Sequence, residues 1–249
     1  MKRIFPIIIV IIAAFATISI FVFHKSTLFH NGKSDYSIVL CNNASISEQT
    51  AAKELQSYLE QIGGVVLPII NRDQLEEGQK HIFIGYNKKY GAEYDVERPD
   101  KNDEGFTYRN VGDNIWIYRG SQRGTMYGVY SFLENELGVR WYTKDYTHLK
   151  PIKKWQFKEL YCSEEPFIGY RYVQYFNVHY YNDWLAHNKC NSVWRAIDSE
   201  YGGLEAYWNC HTFEQFIPSG EYFQKHPEYF SLRDGKRTPY TQLCLSNPE

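Results

Sequence analysis

The stretch from Glu104 to Tyr142, EGFTYRNVGDNIWIYRGSQRGTMYGVYSFLENELGVRWY, decides the fold, because it reads in one pass as strand, turn, strand, loop, helix and strand. Phe106, Tyr108 and Asn110 alternate with Thr107 and Arg109, Gly112-Asp113-Asn114 supplies a tight turn, and Ile115 to Tyr118 are β-branched and aromatic residues that suit a pleated surface. From Arg123 the period becomes helical. Met126, Val129 or Tyr130, Leu133 and Leu137 recur at spacings of three and four, and Gly138 is placed to end the helix in a left-handed conformation. Val139 to Tyr142 then turns back as a short strand.

Upstream, Tyr36 to Cys41 is a short apolar strand, and Ser45 with Glu48 makes a capping box for a helix whose apolar stripe is Ala51, Leu55, Leu59 and Ile62. Gly63-Gly64 ends that helix, and Val65 to Ile70 and His81 to Gly85 are the next strands. Residues 36–150 are thus expected to form an α/β domain, a small mixed sheet with two helices on one face. Residues 26–35 read as a polar linker. Before it, Lys2 and Arg3 precede an apolar run from Ile4 to Phe23, so residues 1–25 are expected to be a signal peptide or a signal anchor. That run is about as long as a membrane span requires (~20 residues), and the nearest small-x-small site, Ala14-Phe15-Ala16, falls inside it. The remainder should lie outside the cytoplasm, periplasmic or at the cell surface, and anchored by residues 4–23 if the segment is uncleaved.

Composition removes several classes. A net charge of −2 without a basic run argues against a nucleic-acid partner. The five cysteines form no C-x-x-C pair and Cys210-His211 is only an adjacent pair, so no metal site is expected; an exported protein has room for one disulfide, and buried free thiols are the more usual outcome. Gly-x-Ser-x-Gly, a glycine-rich phosphate loop and His-Glu-x-x-His do not occur, and no cofactor is implied. The 22 Tyr and six Trp are the anomaly: they fill cores, and they also present flat surfaces able to lie against sugar rings.

The order AAKELQSYLEQIGG, LPII, HIFIG, DEGFTYR and then the stretch quoted above resembles the small α/β domain that precedes the catalytic barrel in bacterial α-glucuronidases and β-hexosaminidases. Arg-Gly, Tyr-Gly, Leu-Glu, Leu-Gly and Arg-Trp recur there in this arrangement, and the match covers about residues 36–145. The resemblance implies an accessory domain and no reaction of its own. It also implies that Trp141 and Tyr142 seat the following barrel rather than touch a substrate.

In the second half, PFIGYRYVQYF from Pro166 reads as a strand that could open a barrel, followed by a helix from Asp183 and a strand near Asn191 to Ile197. After a turn at Gly202-Gly203, Glu221 to Lys225 suits a short helix, Tyr229 to Leu232 with Asp234-Gly235 a hairpin, and Gln242 to Leu245 a strand. His211-x-Phe213, Tyr222-Phe223, His226-Pro227-Glu228-Tyr229-Phe230, Asp234-Gly235-Lys236-Arg237 and Gln242 to Pro248 resemble domain of unknown function 4838, whose members follow the same accessory domain with a barrel. The resemblance makes residues 151–249 the beginning of a (β/α)₈ TIM barrel. It is incomplete, because such a barrel takes about 250 residues.

Glycoside hydrolysis usually needs two carboxyl groups about 5 to 9.5 Å apart. Asp183, Asp198, Glu200, Glu205, Glu214, Glu228 and Asp234 are available, and spacing marks none of them. Glu228, within the family-like His-Pro-Glu segment, is the one catalytic candidate, although a charged residue beside a turn is more often a surface or capping group. His211 suits binding a sugar hydroxyl or an ordinary structural role, Trp184 stacking on a ring or core packing, and Arg171, Lys236 and Arg237 pairing with a carboxylate if the sugar is a uronic acid, although such charges are ordinarily solvated. Two functions are therefore expected. The first is the N-terminal portion of an exported glycoside hydrolase acting on a glycan, with its catalytic carboxylates beyond residue 249. The second is a surface-displayed, non-catalytic carbohydrate-binding or interaction module.

Overall fold

The computed structural model describes residues 25–41, 43–76, 78–86, 100, 102–194, 196–206, 212–240 and 242–247. The chain divides into two compact units, residues 1–205 and 206–249.

The first unit begins with β1 (Ser26–His30), β2 (Tyr36–Leu40), α1 (Ile46–Gly63), β3 (Ile69–Asn71), β4 (Lys80–Ile84), β5 (Phe106–Val111) and β6 (Asn114–Arg119). It continues through α2 (Gly124–Leu137), β7 (Arg140–Thr143), β8 (Tyr146–His148), β9 (Lys154–Phe157) and β10 (Tyr161–Glu164). Six strands make a mixed sheet in the order β10-β5-β6-β4-β2-β3. The expected hairpin pairs Asn110 with Ile115 and Val111 with Asn114, while β4 pairs in parallel with both β2 and β6. Parallel neighbours need long crossovers, and α1 supplies the one between β2 and β3.

Strand pleating sends alternate residues to opposite faces. Ile38, Leu40, Ile82, Ile84, Ile115 and Ile117 therefore pack in one core with Ala51, Leu55, Leu59 and Ile62 of α1 and Met126, Val129, Tyr130 and Leu133 of α2. Val39, Phe83 and Trp116 form a separate cluster, with Phe83 and Trp116 stacked at 4.1 Å. The sheet thus carries both helices on one face, as the sequence predicts. Local chemistry fixes the helix ends. The Ser45 hydroxyl accepts from the Glu48 amide at 3.1 Å, the Glu48 carboxylate accepts from the Ser45 amide at 2.9 Å, and Gly138 follows α2 with φ 75°.

Three expectations are corrected. Residues 26–35 are not a linker, because β1 pairs antiparallel with β9 and buries Leu28 and Phe29. The sheet does not end at Lys150: β10 pairs with β5 and forms an edge of the six-stranded sheet. Val65 to Ile70 is strand only from Ile69, since Pro68 lends its carbonyl to the Ile38 amide but has no N–H of its own.

Beyond the sheet, β11 (Tyr172–Val173), α3 (Asn182–His187) and β12 (Ser192–Val193) form a β-α-β unit whose two strands are parallel. This is the repeating step of an α/β barrel. The long strand read from Pro166 shrinks to β11, because the Ile168 and Gly169 carbonyls are taken by Arg171 and Asn191 rather than by a ladder.

The second unit contains α4 (Phe213–Phe216), α5 (Ser219–Tyr222), β13 (Leu232–Arg233) and β14 (Lys236–Arg237). Asp234 and Gly235 have φ of 52° and 74°, the positive angles that suit a two-residue hairpin turn. The predicted strand Gln242 to Leu245 is reduced to one bridge between Leu243 and Phe230. The predicted helix starts two residues earlier than read, at Ser219. Among the described residues no helix is long and apolar enough to cross a membrane; of the expected signal segment at residues 1–25, residues 1–24 lie outside them.

Trp141 joins the β-α-β unit to the sheet domain. Its indole stacks on His187 of α3 at 4.5 Å and donates to the Tyr58 hydroxyl at 2.6 Å, while His187 meets Glu54 of α1 at 2.7 Å. Trp141→Ala should therefore cost about 3 to 5 kcal/mol in denaturant unfolding, as expected for truncating a buried aromatic.

Candidate functional site

Glu104 organises the ground on which the site stands. Its carboxylate accepts from Arg123 and Arg171, and both of its oxygens accept from the Asn191 amide at 3.0 Å. Arg123 also donates to the Gly202 and Gly203 carbonyls at 2.8 and 3.1 Å and to Glu205 at 2.9 Å. Arg171 spends its remaining donors on the Lys189 carbonyl at 2.6 Å and on those of Ile168 and Gly169, with Tyr127 beneath it. Burial alone would raise the Glu104 carboxyl. The Asn191 hydrogen bond, Arg171 and Arg123 outweigh it and hold the group below the usual carboxylate range.

The glycines of the Arg-Gly pairs make this clamp possible. A Cβ on Gly120 would run into the Asp103 carbonyl, and one on Gly124 into that of Gly105. Only bare backbone lets residues 103–105 lie across the start of α2, which brings Glu104 to Arg123.

Beside the clamped unit lies a cleft of about 510 Å³, lined by Tyr142 and Thr143 at the end of β7, Lys144 and Asp145 from the β7–β8 turn, Tyr175, Asn177 and Val178 from the connection after β11, and Trp184 of α3. Residues that follow a strand and precede its helix occupy the C-terminal end of that strand, the face on which α/β barrels place their sites. Tyr142 and Tyr175 are 62% and 74% exposed, while the Trp184 indole is anchored by donating to the Trp141 carbonyl at 3.2 Å. Tyr142 stacks on Tyr146 at 6.1 Å. Lys144 donates to both Asp145 oxygens at 2.6 and 2.7 Å and sits over the Tyr181 ring at 4.6 Å. The Asp145 hydrogen bond, followed by that of the Tyr181 hydroxyl, raises the Lys144 ammonium above its usual range.

The residues proposed from sequence are divided between the two units. Trp184 lines the cleft. Arg171 belongs to the clamp, with its guanidinium occupied throughout. Tyr142 departs from its expected role: pleating turns Trp141 inward to seat α3 and Tyr142 outward into the cleft. In the second unit, Lys236 and Arg237 form β14, and Arg237 donates to the Phe230 carbonyl. Glu228 is held by His226 Nδ1 at 3.0 Å, and its own backbone amide, followed by His226, lowers its carboxyl. His211 lies outside the described residues.

Other carboxylates on the candidate roster are also engaged. Asp198 accepts from Asn182 at 2.8 Å, Glu205 from Arg123, and Glu214 from Ser219. Among the described residues no group of three or more His, Cys, Asp or Glu is arranged to hold a metal ion. The sequence reading missed Glu104, Tyr142 and Tyr175. The aromatic density directly after the Pro166 segment was the available pointer to Tyr175; Glu104 offered none, because its partners lie 19 to 87 positions away.

This fold, a mixed sheet backed by two helices and followed by a β-α-β step, is shared with part of a longer glycoside hydrolase structure. Residues 141–249 match the model of the family described as Domain of unknown function (DUF4838), in agreement with the resemblance carried by the second half of the sequence. Among solved structures, a family GH115 4-O-methyl-α-glucuronidase with specificity for decorated arabinogalactans is similar at TM-score 0.52 and 12% identity, over 68% of this chain and 26% of that one. A GH20 β-N-acetylhexosaminidase from Streptomyces coelicolor is similar at TM-score 0.44 and 16% identity, over 68% and 31%. The chain thus spans about a quarter of the glucuronidase's length. No curated protein matches it.

Two measurements test this geometry. A carboxyl with a lowered folded-state pKa contributes stability that is present above its unfolded value and lost as pH falls through the folded one. Glu104→Gln should therefore cost about 3 to 5 kcal/mol at pH 7, the range for breaking a buried ion pair, and the deficit should shrink below about pH 4.5. In the second unit, the Ser246 hydroxyl and then Arg237 draw the Cys244 thiol down to about 7, whereas burial raises Cys162 and Cys190. Alkylation at pH 7 followed by peptide mapping should label Cys244 ahead of those two.

Proposed function

We propose that this chain is the N-terminal portion of an exported, glycoside-hydrolase-like protein that acts on glycans, with residues 26–165 as its accessory domain and the β-α-β unit opening the catalytic barrel. The observation that carries the reading is the cleft at the C-terminal end of β11, where Tyr142, Tyr175 and Trp184 present aromatic surface beside Asn177, Thr143 and the Lys144–Asp145 pair. Sugar rings expose C–H faces that lie on aromatic rings and hydroxyls that need polar partners at the edge, and this lining supplies both kinds of contact. Export follows from the positive residues and apolar run at residues 2–23, and the protein would face the periplasm or the cell surface, anchored if that segment is retained.

Under this reading the two catalytic carboxyls lie beyond residue 249. Four acids on the roster, Asp198, Glu205, Glu214 and Glu228, already serve structural contacts, which supports that placement. The 249-residue chain should bind polysaccharide without turning it over. Tyr175→Ala, which removes an exposed ring, should weaken retention on insoluble polysaccharide about tenfold, roughly 1.4 kcal/mol, with an unchanged melting temperature. Hydrolysis of a glycoside by the purified chain would contradict the placement of the acids, and undiminished retention in the variant would remove the cleft from the binding surface.

A further inference from the structure

The cleft also carries a charge pattern that bears on which sugar it takes, an inference that rests on the glycan-binding reading above. A site for a uronic acid must offer the sugar carboxylate a cation with donors to spare, usually a guanidinium in a planar fork. Of the eight described residues that line the cleft, the one cation is Lys144, and its ammonium already donates to both oxygens of Asp145 and rests on the face of Tyr181. Arg171, the guanidinium of the adjoining segment, has Nε, Nη1 and Nη2 all committed to the Glu104 clamp and to backbone carbonyls.

The exposed charge at the rim has the opposite sign. The Asp145 side chain is 74% exposed and that of Lys144 26%, so a ligand entering the cleft meets the carboxylate first. A carboxylate can accept about four hydrogen bonds, and Lys144 leaves part of that capacity open for O–H donors. A second carboxylate brought beside it would be repelled. We infer that this cleft selects neutral sugars, with Asp145 as its specificity-determining residue: it accepts from sugar hydroxyls, neutralises Lys144 and excludes hexuronic acids. Asn177 and Thr143 add uncharged partners at the same edge, and Tyr142, Tyr175 and Trp184 make no demand on the sugar's charge.

The test is a glycan array of neutral oligosaccharides and their uronate-substituted counterparts, probed with the full chain and with Asp145→Asn. The full chain should bind neutral members at least tenfold more tightly than the matched acidic ones. Asp145→Asn should narrow or reverse that ratio by freeing Lys144, because the amide no longer repels a carboxylate. Salt should weaken the variant's hold on acidic members while leaving neutral binding by the original chain almost unchanged. Preferential binding of uronate-bearing members by the unaltered chain would overturn this inference and leave glycan binding standing, as would a ratio that Asp145→Asn does not move. Absence of binding to any member would overturn the glycan-binding reading itself, and this inference with it.

Discussion

The buried carboxylate of Glu104 is the constraint on which the first unit depends. One negative charge is shared among two guanidinium groups and an amide, and each of these partners holds a different piece of chain: Arg123 the start of α2 and the Gly202-Gly203 turn, Arg171 the approach to β11, Asn191 the entry to β12. An isolated buried charge would be too costly to keep, and a buried pair is favourable only when its remaining donors and acceptors are satisfied. Here they are satisfied by backbone carbonyls. The clamp therefore specifies where the β-α-β unit begins against the sheet domain, beyond what apolar packing at Trp141 and His187 fixes.

Position of the cleft follows from that arrangement. With Trp141 turned into the core beneath α3, the neighbouring Tyr142 has to face outward, and the β7–β8 turn that follows it brings Lys144 and Asp145 alongside. The connection after β11 then supplies the opposite side through Tyr175, Asn177 and Val178. Rigid elements thus present a short aromatic surface on loops, the usual division of labour between scaffold and recognition.

Local sequence patterns made much of the fold legible. The capping box at Ser45 and Glu48, the turn at Gly112 to Asn114 and the glycine after Leu137 each act over a few residues, and each appears where its chemistry places it. Long-range pairing was not legible in the same way. β1 and β9 are short, half-polar and separated by more than a hundred residues, so neither announces its partner. The strand from Pro166 failed for a related reason: its apolar composition suits a ladder, but Arg171 and Asn191 claim its carbonyls. Trp184 stands out in the sequence because aromatic chemistry travels with the residue, and it lines the cleft, whereas the fate of Arg171 is decided by Glu104, far away in sequence.

The central claim is that glycan recognition belongs to the cleft between the β7–β8 turn and the connection after β11. Hydrogen–deuterium exchange of the full chain, with and without a saturating neutral oligosaccharide, tests it most directly. The account predicts added protection concentrated in residues 142–146 and 175–184. Protection confined to other surfaces of the chain, with those two segments exchanging as in the free protein, would contradict it.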